Sequence, residues 1–242
     1  MEIVLINQLR GIAFIFMFIY HIFVFLQIKN NINYLNNSFL NIIGIISRNI
    51  FILLVGVSLY LSYSKSNNFN SYKKKQVERS IKIYFIAIII TIFTYYTIND
   101  YYIVFGVLHF ISIAILLLHR FVNNFIILFI ILCLCLYYNS KSIIIYSQYS
   151  FINYINSIIG FNIYKNTIDS FTLIKWIPNV IIGIFIGYII INTIKNNKFS
   201  KKKKIKNDNL FTYYLSFIGK NTLILYLIHF PIIYFAIKYI YD

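Results

Sequence analysis

Seven apolar stretches, each close to the length of a bilayer crossing and nearly free of charge, leave this chain few folds to choose from. They run roughly over 4–27, 40–62, 80–98, 101–119, 121–138, 174–194 and 212–238. About 20 mostly apolar residues are needed to cross a hydrocarbon core. Backbone amides and carbonyls there must satisfy one another, which favours helices. Composition agrees, since 60% of the 242 residues are hydrophobic and only 12% are charged, too few to coat a soluble domain of this length. The expected fold is all-α, a polytopic membrane helical bundle of about seven transmembrane helices forming a single domain over 1–242. No cleavable signal peptide is expected, because the first apolar stretch is too long and lacks a small-residue cleavage site.

A formal net charge of +16 raises the question of nucleic acid, and the placement of the cations answers it. The connection Ser62–Ile81 holds Lys65, Lys73, Lys74, Lys75 and Arg79; the one around His119 and Arg120 holds one cation; the sixth holds Lys195, Lys198, Lys201–Lys204 and Lys206. Odd-numbered connections are almost bare: Lys29 in the first, none around Asn99 and Asp100, Lys141 and Lys165 in Asn139–Leu173. Cations gather in cytoplasmic loops. The alternation therefore predicts a multi-pass protein of the cell membrane with its N-terminus in the cytoplasm, and no nucleic-acid partner. Lys201–Lys206 is sufficiently explained as a topology signal, with anionic lipid as a further contact. The segment 143–161 is apolar but interrupted by Ser147, Gln148, Ser150, Asn153, Asn156 and Ser157. An interfacial or re-entrant element fits it better than an eighth crossing, which would invert the later charge pattern.

Ionisable residues inside apolar helices mark function by default. Arg10 and His21 lie eleven residues apart, within roughly 20° of one helix face and about 16 Å apart along the axis. His21, Arg48, His109 and His229 fall at mid-membrane or in the outer half under this topology, with Arg10 nearer the cytoplasm. Thr222, Tyr226 and His229 share one helical stripe. Asp169 and Trp176 mark the outer entry of the sixth stretch. Each residue also has a structural reading. His109 or His229 can simply bond a neighbouring helix, Arg48 can snorkel or pair with Asp169 or Asp100, and Trp176 can anchor in the interface. His119 and Arg120 read as an interfacial pair, and Gly183 and Gly187 as a close-packing stripe. Pro231 removes the amide that would bond the Leu227 carbonyl, loosening the helix beside His229.

Metal chemistry is not indicated: the four His follow no ligand spacing, and Cys133 and Cys135 point to different helix sides. Cation transport usually employs a central carboxylate. None of the six acidic residues lies mid-span, so a transporter or a non-enzymatic scaffold ranks second.

Taken in order, Arg10-Gly-Ile-Ala13 with Tyr20-His21, Arg48 through Phe51-Ile-Leu-Leu-Val-Gly56-Val-Ser58, and Phe105-Gly-Val-Leu-His109 resemble a known family. So do Asp169 to Trp176, Gly183-Ile-Phe-Ile-Gly187, and Gly219-Lys-Asn-Thr-Leu-Ile-Leu-Tyr226-Leu-Ile-His229-Phe-Pro231. The family is the heparan-α-glucosaminide N-acetyltransferase catalytic domain, in its short prokaryotic form. The opening and closing blocks are also similar to the acyltransferase-3 O-acyltransferases. Lys175 departs from the pattern, which usually has Pro before the Trp. The resemblance implies transfer of an acetyl or acyl group from acyl-CoA to a hydroxyl or amine of an extracytoplasmic glycan or glycolipid. On that basis His21 is expected as general base or transient acyl carrier, and Arg48, His109 or His229 as oxyanion stabiliser. Arg10 and Lys220 would meet the CoA phosphates, and Asp169, Trp176 and Tyr226 the acceptor. No bound cofactor is implied, acetyl-CoA being a substrate, and a homodimer is allowed for.

Overall fold

A computed structural model describes residues 2–30, 34, 38–98, 101–141, 144–161, 167–196 and 209–241. These residues form helices joined by short connections, with no strand among them. In order the helices are α1 (Glu2–Asn30), α2 (Ser38–Ser64), α3 (Phe69–Thr97), α4 (Val107–Leu118), α5 (Phe125–Lys141), α6 (Ser150–Ile159), α7 (Leu173–Asn196), α8 (Leu210–Lys220) and α9 (Thr222–Tyr241). Among them five, α1, α2, α3, α7 and α9, are long and apolar enough to cross a membrane. The fourth and fifth expected crossings are helices of 12 and 17 residues, the shorter preceded by irregular chain over 101–106. Asp100, Lys165 and the Lys201–Lys206 run lie outside the described residues.

Two expectations about helix boundaries are corrected. The basic connection after α2 is not a loop: α3 begins at Phe69, where the Asn68 side chain accepts the Asn70 amide at 3.0 Å and caps the new helix. The stretch 212–238 is not one helix. It breaks at Asn221, whose backbone N–H turns back to the Phe217 and Ile218 carbonyls while its side chain also donates to Phe217 at 2.9 Å.

The residues fall into two compact units, 1–54 with 197–242, and 55–196. In the first, Gly219 of α8 lies against the Asn7 backbone of α1, and Gly11 of α1 against Leu215 of α8. As one number rises the other falls, so the two helices pack antiparallel, backbone on backbone. A Cβ at either glycine would overlap a carbonyl oxygen of the opposite helix, which is why this crossing needs residues without one. Helix α2 runs antiparallel to α1 as well: Ser47 Oγ donates to the Ala13 carbonyl at 2.8 Å, and Gly44 sits on the Tyr20 ring. Helix α9 runs parallel to α1, with His229 beside His21 and Tyr241 beside Asn30.

In the second unit α3 and α4 form an antiparallel pair clamped by Ser80 and Ser112. Their hydroxyl oxygens lie 2.9 Å apart and within reach of each other's carbonyls, at 2.9 and 3.0 Å; with one proton on each hydroxyl, two of these three contacts are donated at a time. The end of α2 packs parallel to α7, Gly56 against the backbone at Val180–Ile184 and Gly187 against Val57 and Tyr60. Helix α6 ends on Gly160 at φ 114°, the left-handed closure that glycine tolerates best. Its Asn156 is buried and donates to the Ile145 carbonyl at 3.1 Å, while Phe151, Ile152 and Ile155 stay exposed.

Candidate functional site

In the first unit two imidazoles from opposite ends of the chain meet. His21 and His229 are 4% and 1% exposed, their rings 5.1 Å apart, and His229 Nε2 lies 3.1 Å from His21 Nδ1. The other His229 nitrogen, Nδ1, is 2.6 Å from the Tyr226 carbonyl. A carbonyl oxygen only accepts, so His229 Nδ1 carries the proton and donates. In a neutral ring Nε2 is then an acceptor, and the hydrogen bond between the rings must be donated by His21 Nδ1. The chain of bonds reads His21 Nδ1–H to His229 Nε2, then His229 Nδ1–H to the Tyr226 carbonyl. It leaves the lone pair of His21 on Nε2.

The local sequence explains the arrangement. Thr222, Tyr226, His229, Phe230, Ile233 and Ile237 form the buried stripe of α9, the 3.6-residue period at work. The Phe230 ring lies tilted 4.9 Å from the His21 ring and 4.2 Å from that of His229, walling the pair with hydrocarbon. Pro231 follows within α9, so the helix around this dyad lacks one of its own amide donors. On the α1 side the Tyr20 ring is 5.8 Å from His21 and carries the Arg48 guanidinium 6.0 Å from its centre. Arg48 Nε donates to the Gly44 carbonyl at 3.2 Å.

Toward the N-terminal end of α1 the same unit holds Arg10 and Lys220. Arg10 is half-buried and donates to Asn7 Oδ1 at 3.4 Å; Asn7 is itself buried. Lys220 is exposed at the end of α8, next to the Gly219–Asn7 contact. Six of the expected site residues, Arg10, His21, Arg48, Lys220, Tyr226 and His229, thus belong to this unit. Tyr226 meets His229 twice, through its carbonyl and through its ring at 4.8 Å, and the carbonyl contact is not visible in residue types. Nor is Asn7 as a partner of Arg10, although the three-residue spacing on a helix is a usable signal.

The other three, His109, Asp169 and Trp176, belong to the second unit. His109 is buried between aromatic rings, 5.6 Å from Tyr84 edge-on and 5.7 Å from Phe105. Asp169 Oδ2 accepts the Val107 amide at 3.0 Å, so its carboxylate serves the first turn of the helix that carries His109. Trp176 is buried against Phe171, ring centres 5.0 Å apart, instead of standing in an exposed belt. His119, expected as an interfacial partner of Arg120, is buried and donates from Nδ1 to the Ile115 carbonyl of its own helix at 2.9 Å. Among the described residues no three His, Cys, Asp or Glu side chains converge.

Compared with known families, residues 3–231 match the family model described as heparan-alpha-glucosaminide N-acetyltransferase, catalytic. No curated protein and no solved structure matches the chain.

Proposed function

We propose that this chain, which belongs to the heparan-alpha-glucosaminide N-acetyltransferase catalytic family, is a membrane acyltransferase that moves an acetyl or other acyl group from acyl-CoA to a hydroxyl or amine of a sugar-containing acceptor. The observation that carries this reading is the hydrogen-bonded pair His21–His229, since it fixes one imidazole nitrogen as an unprotonated base inside a helix bundle. Imidazole is suited to proton transfer near neutral pH.

In the proposed step the acceptor O–H or N–H gives its proton to His21 Nε2 as the oxygen or nitrogen attacks the thioester carbonyl carbon. The tetrahedral oxyanion collapses, the carbon–sulfur bond breaks, and the departing thiolate takes the proton back from His21 as free CoA. While His21 is protonated, His229 Nε2 accepts its Nδ1–H and spreads the charge toward the Tyr226 carbonyl. His229 is therefore assigned to orienting His21, since both its ring nitrogens are engaged. Arg48, held at the Tyr20 ring that neighbours His21, is assigned to the oxyanion. Arg10 and Lys220 are assigned to the CoA phosphates, guanidinium matching phosphate with paired donors. The loop charges suggest seven crossings of the cell membrane with the N-terminus inside, and under that topology Arg10 and Lys220 face the cytoplasmic donor.

The test is release of CoA thiol by purified protein given acetyl-CoA and a panel of amino sugars and glycans. Acceptor-dependent thiol release with an acylated product supports the reading. Acetyl-CoA binding without release from any acceptor, or flux across liposomes without thioester cleavage, defeats it.

A further inference from the structure

The first half of α3 carries Lys73, Lys74, Lys75, Arg79 and Lys82, yet its inward stripe of Tyr72, Gln76 and Ser80 is polar and closed to solvent. Ser80 is fully bonded to Ser112, as described above. The other two are not. Tyr72 and Gln76 are each 1% exposed, and Tyr72 Oη and Gln76 Oε1 have no hydrogen-bond partner among the described residues. Gln76 Nε2 donates to Ser62 Oγ at 2.8 Å. Turning the amide over would only exchange which end is satisfied. The Tyr72 ring is held between Phe69, 6.0 Å away and stacked, and Tyr63, 5.6 Å away and edge-on, which fixes where the hydroxyl is presented.

Residues 72, 76 and 79 lie within roughly 60° of arc on one face of an α-helix. The half-buried Arg79 lies on that same face, two turns beyond Tyr72. A buried hydroxyl and a buried amide oxygen are both costly to leave unbonded, so two on adjacent turns call for a common partner. With the amide placed to donate to Ser62, a partner that accepts from Tyr72 Oη and from the guanidinium and donates to Gln76 Oε1 satisfies all three groups. A phosphate ester with a neighbouring hydroxyl or amine meets all three needs, and a bare anion meets only two.

We infer that Tyr72, Gln76 and Arg79 form a binding site for a phosphate ester bearing a hydroxyl or amine donor, at the basic end of α3. Lys73, Lys74 and Lys75 add a field that draws anionic headgroups to this end of the helix. The chemistry is shared by a phosphatidylglycerol headgroup and by the pantetheine arm of coenzyme A. The site does not depend on the transferase reading.

The experiment is native mass spectrometry of the whole protein released from phosphatidylglycerol nanodiscs, with a parallel coenzyme A titration in phosphatidylcholine nanodiscs. One phosphate ester is expected to stay bound through stripping, and Tyr72→Phe, Gln76→Leu and Arg79→Gln should each weaken it roughly tenfold. Lys141→Gln, exposed at the end of α5 and away from this stripe, should change retention little. Retained lipid that coenzyme A does not displace assigns the site to the headgroup; displacement, or binding in phosphatidylcholine discs, assigns it to the nucleotide. Both uphold the site. Tyr72→Phe also reads out where harsher variants fail to fold, because the two states oppose each other in melting temperature. Removing a ligand-holding hydroxyl lowers the melting temperature in phosphatidylglycerol. A rise there, with no phosphate ester retained in either arm, overturns the inference.

Discussion

His21 and His109 are both buried in apolar helices of one chain, and their surroundings differ in kind. His21 is tied through His229 to a backbone carbonyl, and the direction of those bonds dictates which of its nitrogens holds the proton. His109 is enclosed by the rings of Tyr84 and Phe105, with Asp169 supporting the helix beneath it rather than the imidazole itself. An imidazole with a fixed tautomer presents a base in a set direction. One bounded by aromatic faces contributes shape and hydrocarbon. Burial alone therefore does not separate the two histidines; the bonds around each of them do.

The largest expected effect tests that contrast directly. His21→Ala should lower acceptor-dependent CoA release about 10²- to 10⁴-fold, the usual contribution of a positioned general base. His109→Ala should cost less than about tenfold, provided circular dichroism shows both variants folded. Equal losses would mean that the aromatic enclosure is as much a part of the chemistry as the dyad. Next in size is His229→Phe, which preserves the ring but removes both bonds. A base free to rotate costs on the order of 100-fold in kcat, with little change in KM for acetyl-CoA. His229→Gln, whose amide oxygen can still accept from His21 Nδ1, should recover most of that loss. If Gln and Phe behave alike, orientation is not what His229 supplies.

The crossing of α1 and α8 gives a smaller effect on stability. Gly219→Ala places a methyl on the Asn7 carbonyl, which the backbone can relieve only by separating the helices. About 1–3 kcal/mol of destabilisation is expected, as for other overpacked contacts, read as a fall in the thermal midpoint. Gly56→Ala, against the α7 backbone in the second unit, should lose a similar amount. If Gly219→Ala also lowers turnover while Gly56→Ala does not, the α1 geometry that holds His21 is the sensitive one.

Much of the helical content was readable from hydropathy, because lipid forces the backbone to bond within its own segment and apolar runs of crossing length are therefore long helices. The stripe Thr222–Tyr226–His229 was readable for the same periodic reason. Three features were not. The break at Asn221 lies inside an apolar run, and its cause is a local turn with side-chain bonds to Phe217. The basic residues after α2 read as loop because charge and helix are confounded there, whereas Asn68 caps a helix that includes them. The meeting of His21 with His229 spans 208 residues, and no local pattern reports a contact so distant. Asp169 shows the limit from the other side: a carboxylate at a membrane mouth suggests substrate, and its position at the Val107 amide belongs to tertiary structure.

The smallest expected effect concerns the clamp between Ser80 and Ser112, the second unit's counterpart to the histidine pair. Both join two helices through side-chain bonds, but the serines also close on each other's carbonyls, so all the bonding capacity is spent on holding α3 to α4. Hydrogen bonds between membrane helices couple by about 0.6 kcal/mol on average, because the separated helices find other partners. A double-mutant cycle over Ser80→Ala and Ser112→Ala should therefore give a coupling of about that size and at most about 1.7 kcal/mol. Turnover should stay near wild type in all three variants, since the dyad lies on other helices. A loss of turnover that tracks the serine coupling would mean that α4, and with it His109, must be held in place for catalysis, and the distinction between the two histidines would then be one of degree.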